Sequence, residues 1–226
     1  RPFLCHANYL KDYDKIMIVL YDISKIKELE TLKKDLIANV SHEIKTPLTA
    51  IKGFAETAME EIKDKNVLRY LEIINGNAGR LINIVEDLLV LSKLEQDSIK
   101  INVEEVDVRA VLKNVEKLFM KRIKEKNIKF NVVIDGSVTK IKSDIFMMEQ
   151  MLINLIDNAV KYTEKGEIKV EIYRRNKESI IIAVSDTGIG ILEEHIRRIF
   201  DRFYVVDKSR SKATGGTGLG LSIVKH

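Results

Sequence analysis

Asn154-Leu-Ile-Asp-Asn-Ala-Val-Lys-Tyr162 carries its apolar residues at helical spacing, and Asn154, Asn158, Lys161 and Tyr162, three or four residues apart, share one face. An ordinary amphipathic helix is the plainer reading, but asparagine is a poor helix former and two of them on one face weigh against it. An amide oxygen there suits Mg²⁺, which prefers oxygen ligands and arrives with nucleotide phosphates. Around this helix the pattern alternates. Helical periodicity over 107–125 and 144–162 is interleaved with β-rich runs at 128–134, 167–173 and 179–185. That alternation predicts an α/β domain.

Upstream of the polar Glu95-Gln-Asp-Ser98 the pattern is helical only. Ile26, Leu29, Leu36, Val40, Ile44, Ile51, Ala55, Ala58 and Ile62 mark one long amphipathic helix over about 25–62, and a second runs over about 67–95. Joined by the polar Lys63-Asp-Lys-Asn66, they predict an antiparallel hairpin. One hairpin leaves its apolar stripe half exposed, so two of them in a two-fold dimer would close a four-helix bundle. Residues 1–24 hold one strand-like run, 16–21, followed by Asp22-Ile-Ser24 with its helix-capping residues. The expected division is therefore 1–24, the end of an upstream domain; 25–96, the helical hairpin; and 97–226, the α/β domain.

Bulk composition narrows the function. The 226 residues are 45% hydrophobic and 32% charged with a net charge of +4, enough for real cores and too balanced for a nucleic-acid binder. Cys5 is the one cysteine and has no internal disulfide partner. No apolar run approaches the roughly 18 residues of a membrane span, so no membrane contact by this stretch is expected. The chain opens at Arg1 and stops at His226 inside an apparent helix, and it reads as a fragment.

In the first helix, Ser41-His-Glu-Ile-Lys-Thr-Pro-Leu-Thr49 places His42 almost opposite Val40, Ile44, Ile51 and Ala58, on the solvent face. A neutral imidazole has one nitrogen free to attack phosphorus, and a neighbouring carboxylate such as Glu43 can fix its tautomer. Thr46 follows one turn later on nearly the same side and could hold a water. Pro47 removes the helical bond to the Glu43 carbonyl and is predicted to bend or loosen the helix there. A lone surface histidine is usually just a solvated residue; the costly proline beside it shifts the odds.

Three further motifs lie in the second half. Asp186-Thr-Gly-Ile-Gly190 follows an apolar strand, where glycine lets backbone approach a planar ligand and Asp186 can accept an adenine amino group; a plain turn is the commoner explanation. Gly215-Gly-Thr-Gly-Leu-Gly-Leu221 leads into a helix start, which offers backbone N–H groups to phosphates. It lacks the Gly-Lys-Ser/Thr ending of a Walker loop. Between them lie Ile199-Phe-Asp-Arg-Phe203, whose phenylalanines read as packing residues, and the polar stretch 207–214, which reads as a lid.

Together and in this order, these boxes resemble those of the sensor histidine kinases of two-component signalling, over residues from about 25 to 226. The resemblance implies a dimeric helical bundle carrying a phosphorylated histidine, and an ATP-binding α/β sandwich of the kind shared with gyrase and Hsp90. It implies His42 as phosphoacceptor, Glu43 as its acid/base neighbour and Thr46 as a residue used in dephosphorylating the partner. It implies Asn158 as the Mg²⁺ ligand, Asn154 and Lys161 at the phosphates, and Tyr162 beside the nucleotide. Asp186 matches the adenine-reading residue. By the same resemblance Gly188, Gly190, Gly216, Thr217, Gly218, Leu219 and Gly220 are expected to line the ATP pocket. The partners implied are a second copy of the chain and a response-regulator receiver domain. The setting implied is the cytoplasmic part of a sensor anchored in a bacterial inner membrane, and the strand ending at Tyr21-Asp-Ile-Ser24 resembles the exit of a PAS-type domain.

Three departures stand out. Val205 occupies a place where many relatives have an arginine, leaving Lys208 or Arg210 as substitutes. Leu192 replaces a common proline, and the α/β domain stops before its last strands. Two other functions compete. A gyrase-type ATPase needs a glutamate to activate water where Asn154 stands, and asparagine is no base. A non-catalytic dimeric scaffold with a decayed nucleotide site is disfavoured by the intact glycine boxes, Asn158 and His42.

Overall fold

The computed structural model describes residues 1–95, 101–176, 179–207 and 216–226. The chain begins with an antiparallel β-hairpin, β1 (Phe3–Leu10) and β2 (Lys15–Asp22), in register from Phe3 opposite Asp22 to Leu10 opposite Lys15. Its turn is a single 3₁₀ turn closed by Asp14 in the left-handed region at φ 50°. The sequence reading found only the second strand. Phe3-Leu-Cys-His-Ala-Asn-Tyr-Leu10 alternates only over Cys5–Tyr9, with Leu4 and Leu10 breaking the pattern, and apart from Val19 both strands are exposed.

Asp22 accepts the Ser24 N–H and so starts α1 (Ser24–Glu61), which runs unbroken through Pro47. The chain turns at 62–64. The Asp64 carboxylate then caps α2 (Lys65–Leu94) by accepting from the Asn66 and Val67 amides. The two helices lie antiparallel. The seam takes Ser41 and Ala55 from α1 and Ala78 and Val85 from α2, all buried, and Lys45 Nζ crosses it to Glu86 at 2.5 Å. The stripe of Val40, Ile44 and Ile51 is turned away from this seam and stays 43–47% exposed. Ile73, Ile74 and Leu81 of α2 are likewise exposed. The hairpin therefore has a second apolar face beyond the one it uses on itself.

The α/β part is a sandwich of helices on a mixed sheet. β4 (Ile128–Ile134) pairs parallel with β6 (Gly166–Arg174), which pairs antiparallel with β7 (Ile180–Asp186). β6 shows the period of two plainly, with Ile168, Val170 and Ile172 buried and lysine and glutamate between them. Over that face pack α3 (Val108–Glu125), capped by Asp107, and α4 (Ile145–Tyr162), capped by Asp144. Val111, Val115, Phe119, Leu152 and Ile156 meet the strands in one core. Two short strands, β3 (Glu104–Asp107) and β5 (Lys140–Ser143), form a separate antiparallel pair. After β7 come a single helical turn, α5 (Glu193–Ile196), and the closing helix α6 (Gly220–Lys225).

α6 joins the two halves. Leu219 and Ile223 pack against Leu91, all three nearly inaccessible, with Leu88, Val90 and Leu94 around them.

Candidate phosphoacceptor face and nucleotide pocket

His42 is exposed on α1 and, together with Lys45, Thr46, Thr49 and Ala50, lines a shallow concavity. At about 100° per residue it points away both from the seam with α2 and from the Val40–Ile44–Ile51 stripe, so its ring is open to a bulky donor. Thr46 Oγ1 donates to the His42 carbonyl at 3.2 Å, which ties it to the same turn. Glu43 forms no hydrogen bond to the His42 ring, because successive residues on a helix diverge. Among the described residues the His42 ring therefore has no carboxylate held against it.

The four α4 residues are placed differently from one another. Asn154 Nδ2 donates to the Gln150 carbonyl at 2.9 Å, while its Oδ1 abuts Gly220: a Cβ on Gly220 would sit 2.6 Å from it. Lys161 Nζ pairs with Asp157 at 2.5 Å, and Asp157 also accepts from Arg122 at 2.7 Å. Asn158 is half-buried between them in sequence, on the face that continues to Tyr162. Tyr162 lines a second concavity with Glu164, Lys165, Thr187, Gly188 and Ile189.

Asp186 closes that end. Its Oδ1 accepts the Gly188 N–H at 2.8 Å and faces the Thr163 hydroxyl at 3.5 Å. Gly188 is forced by packing, since a Cβ there would lie 2.5 Å from the Tyr162 carbonyl oxygen. Gly190 is needed for its backbone instead, at φ 69° with open space around it. The Tyr162–Gly188–Asp186 group thus brings α4 and the end of β7 together.

The glycine segment before α6 is held from two sides. Gly218, at φ 73°, lies against the Phe203–Tyr204 backbone, which a Cβ would meet at 2.8 Å. Thr217 Oγ1 donates to Asp87 Oδ2 on α2 at 2.6 Å and accepts the Leu219 N–H at 3.1 Å. Gly216 and Leu219 are buried and Gly220 is half-buried. Burial pushes the Asp87 carboxyl above the ordinary aspartate range, against the pull of the Thr217 hydroxyl and the Lys161 charge. Arg202 and His226 both meet Glu95 just past the end of α2.

This contact between α2 and the glycine segment was not legible in the sequence. Beside it, the His195 ring is bonded to the Tyr204 hydroxyl at 2.7 Å, and the Arg198 guanidinium stacks on the Tyr204 ring at 4.3 Å. Val205 is half-buried. Lys208, Arg210 and most of the stretch read as a lid lie outside the described residues. Among the described residues no helix is long and apolar enough to cross a membrane.

The comparisons agree with this geometry on both halves. Residues 32–97 match the His Kinase A (phospho-acceptor) domain family, and residues 143–226 match the histidine kinase-, DNA gyrase B- and HSP90-like ATPase family. The chain belongs to the sensor histidine kinases. It is 38% identical over 224 residues to the phosphate regulon sensor protein PhoR of Pseudomonas aeruginosa, covering 98% of this chain and 50% of that protein. It is 36% identical over 225 residues to the sensor-like histidine kinase SenX3 of Mycobacterium tuberculosis, covering 98% and 54%. The chain therefore spans about half the length of these curated relatives. Among solved structures, full-length ShkA in complex with AMPPNP superposes with a TM-score of 0.66 at 29% identity, covering 84% of this chain and 40% of that one. Histidine kinase ThkA in complex with response regulator protein TrrA gives 0.55 at 25% identity, covering 92% and 66%.

Proposed function

We propose that this chain transfers the γ-phosphoryl group of ATP to His42 and then passes it to an aspartate of a response-regulator receiver domain. The observation that carries this reading is His42 itself, open on a helix face that neither the hairpin seam nor the second apolar stripe claims. The ATP site is the concavity at Tyr162 and Gly188, with Asp186 receiving the adenine amino group and Asn154, Lys161 and residues 216–220 at the phosphates. Lys161 would exchange Asp157 for phosphate oxygens, a swap of one anionic partner for another. Mg²⁺, where bound with ATP, would sit on the Asn158 amide oxygen and neutralise phosphate charge.

His42 attacks as the neutral ring, and Glu43 takes up the ring proton after a change of rotamer. Transfer then depends on positioning and charge neutralisation. Thr46 lies where a water could attack the partner's phosphoaspartate, which would make the chain a phosphatase as well.

The parts of the reading form one arrangement. The second apolar face of the hairpin would be buried by a second copy, in a four-helix bundle. Residues 1–24 would be the end of a PAS-type sensor domain, 25–96 the phosphotransfer hairpin and 97–226 the ATP-binding domain. The parent would be a sensor anchored in a bacterial inner membrane, with this portion in the cytoplasm. A water-activating ATPase is disfavoured, because the Asn154 amide bonds to Gln150 and offers no base.

The test is autophosphorylation with ATP radiolabelled at the γ-phosphorus, on the chain and on His42→Ala and Asn158→Ala. Acid-labile label in the parent chain, absent from both variants, is the expected result. Label that persists in His42→Ala would move the acceptor elsewhere. Nucleotide binding without label would leave a scaffold.

A further inference from the structure

Thr163 follows α4 directly and is fully inaccessible. A buried hydroxyl must find an acceptor or incur a desolvation cost, and Thr163 Oγ1 donates to Asp186 Oδ1, at 3.5 Å. The same oxygen accepts the Gly188 amide at 2.8 Å. No described residue bonds Oδ2. One oxygen of the carboxylate is therefore claimed twice from inside the protein, and the other is left for whatever enters from outside.

Thr163 is itself anchored. Lys126, at the end of α3, inserts its ammonium among the last carbonyls of α4, at 2.9 Å from Val160 O and 3.0 Å from Thr163 O. A cation at a helix C-terminus satisfies orphan carbonyls and complements the helix dipole. The Thr163 amide also donates to the Ala159 carbonyl at 3.0 Å. The residue has little freedom to move away from Asp186.

We propose that Thr163 is a positioning residue for base selection: its buried hydroxyl, on a helix end pinned by Lys126, holds Asp186 Oδ1 inward so that Oδ2 faces the exocyclic amino group of adenine. The proposal rests on the reading that Asp186 receives that group. Thr163 touches no ligand. Its effect is confined to how strongly adenine is preferred over a purine lacking the amino group.

The experiment measures dissociation constants for ATP and for inosine triphosphate, which has a carbonyl oxygen in place of the amino group. The whole chain is compared with Thr163→Val, Thr163→Ser and Asp186→Asn. The expected result is a clear ATP preference in the parent chain that is lost in Asp186→Asn. Thr163→Val should lower the preference about fivefold, the size of one modest hydrogen bond, with inosine triphosphate affinity unchanged. Thr163→Ser, which keeps the hydroxyl, should restore the preference. Equal weakening of both nucleotides in Thr163→Val would mean a merely structural role. That result, or an unchanged preference, would overturn the proposal while leaving the adenine reading intact. A parent chain with no ATP preference, or one that survives Asp186→Asn, would overturn the adenine reading and this proposal together.

Discussion

Gly188 and Gly190 stand two residues apart and are glycine for different reasons. A Cβ on Gly188 would be 2.5 Å from the Tyr162 carbonyl oxygen and 2.9 Å from its carbon, both backbone atoms that cannot step aside. At Gly190 nothing lies within 4 Å, and only its φ of 69° resists a side chain. Gly188→Ala should therefore cost about 2–3 kcal/mol through overpacking, and Gly190→Ala about 1 kcal/mol through left-handed strain. Thermal denaturation of the two variants checks the order. Nucleotide affinity should fall further in Gly188→Ala, because Tyr162 would be displaced. Sequence alone could mark both glycines but could not separate these reasons, since one is a matter of packing across 26 residues of chain. Thr163 is subtler still. A threonine past the end of a helix carries no local signal, and its importance depends on burial and on a carboxylate from another strand.

At the scale of elements, legibility followed the strength of the period. α3, α4, β4, β6 and β7 were expected to within a residue or so, because each repeats its apolar residues several times. β3 and β5 escaped notice because each contributes a single inward side chain, Val106 and Ile141, between charged neighbours. Caps make the helix starts similarly testable. Asp144 serves twice, accepting Met147 N at the start of α4 and Asn102 N from the segment before β3. These backbone donors, Met147 first, hold its carboxyl below the usual aspartate range. A depressed carboxyl contributes stability that is present above its ordinary pKa and is lost as pH falls through the depressed one. Asp144→Ala should cost about 1 kcal/mol at neutral pH and should flatten the acid limb of a stability–pH profile measured by denaturant titration. α1 offers the opposite change. Pro47 interrupts its hydrogen-bond ladder while the helix continues, so Pro47→Ala should raise hairpin stability by up to about 3 kcal/mol. The same variant should slow His42 labelling if the transfer needs the helix to yield there.

Across the whole molecule, the hairpin and the sandwich meet where α6 and the glycine segment reach α2. Leu91, Leu219 and Ile223 form the apolar part, and Thr217–Asp87 and Arg202–Glu95 the polar part. Leu91→Ala should weaken this docking by about 2–4 kcal/mol, read as a larger radius of gyration in small-angle scattering. Asp87 adds a pH dependence. Its carboxyl is raised where docked, so the contact is strongest in acid and weakens as pH rises through that elevated pKa. Asp87→Asn should remove this part of the pH dependence. The contact was not visible along the chain: Thr217 stands out within its glycine box, but Asp87, 130 residues away, carries no signal that would pair the two.

The placement of Thr217 has a thermodynamic corollary. The segment proposed to receive phosphates is also gripped by the helical hairpin, so the hairpin behaves toward nucleotide as a tethered competitor or a tethered activator. Which of the two it is depends on whether the gripped geometry suits the ligand. Either way the effect is reciprocal, because linkage requires that a tenfold change in nucleotide affinity on docking, about 1.4 kcal/mol, be matched by a tenfold change in docking on nucleotide binding. With the Thr217–Asp87 bond as one contact of that joint, occupancy of the proposed site in one half would become a variable that the other half can sense.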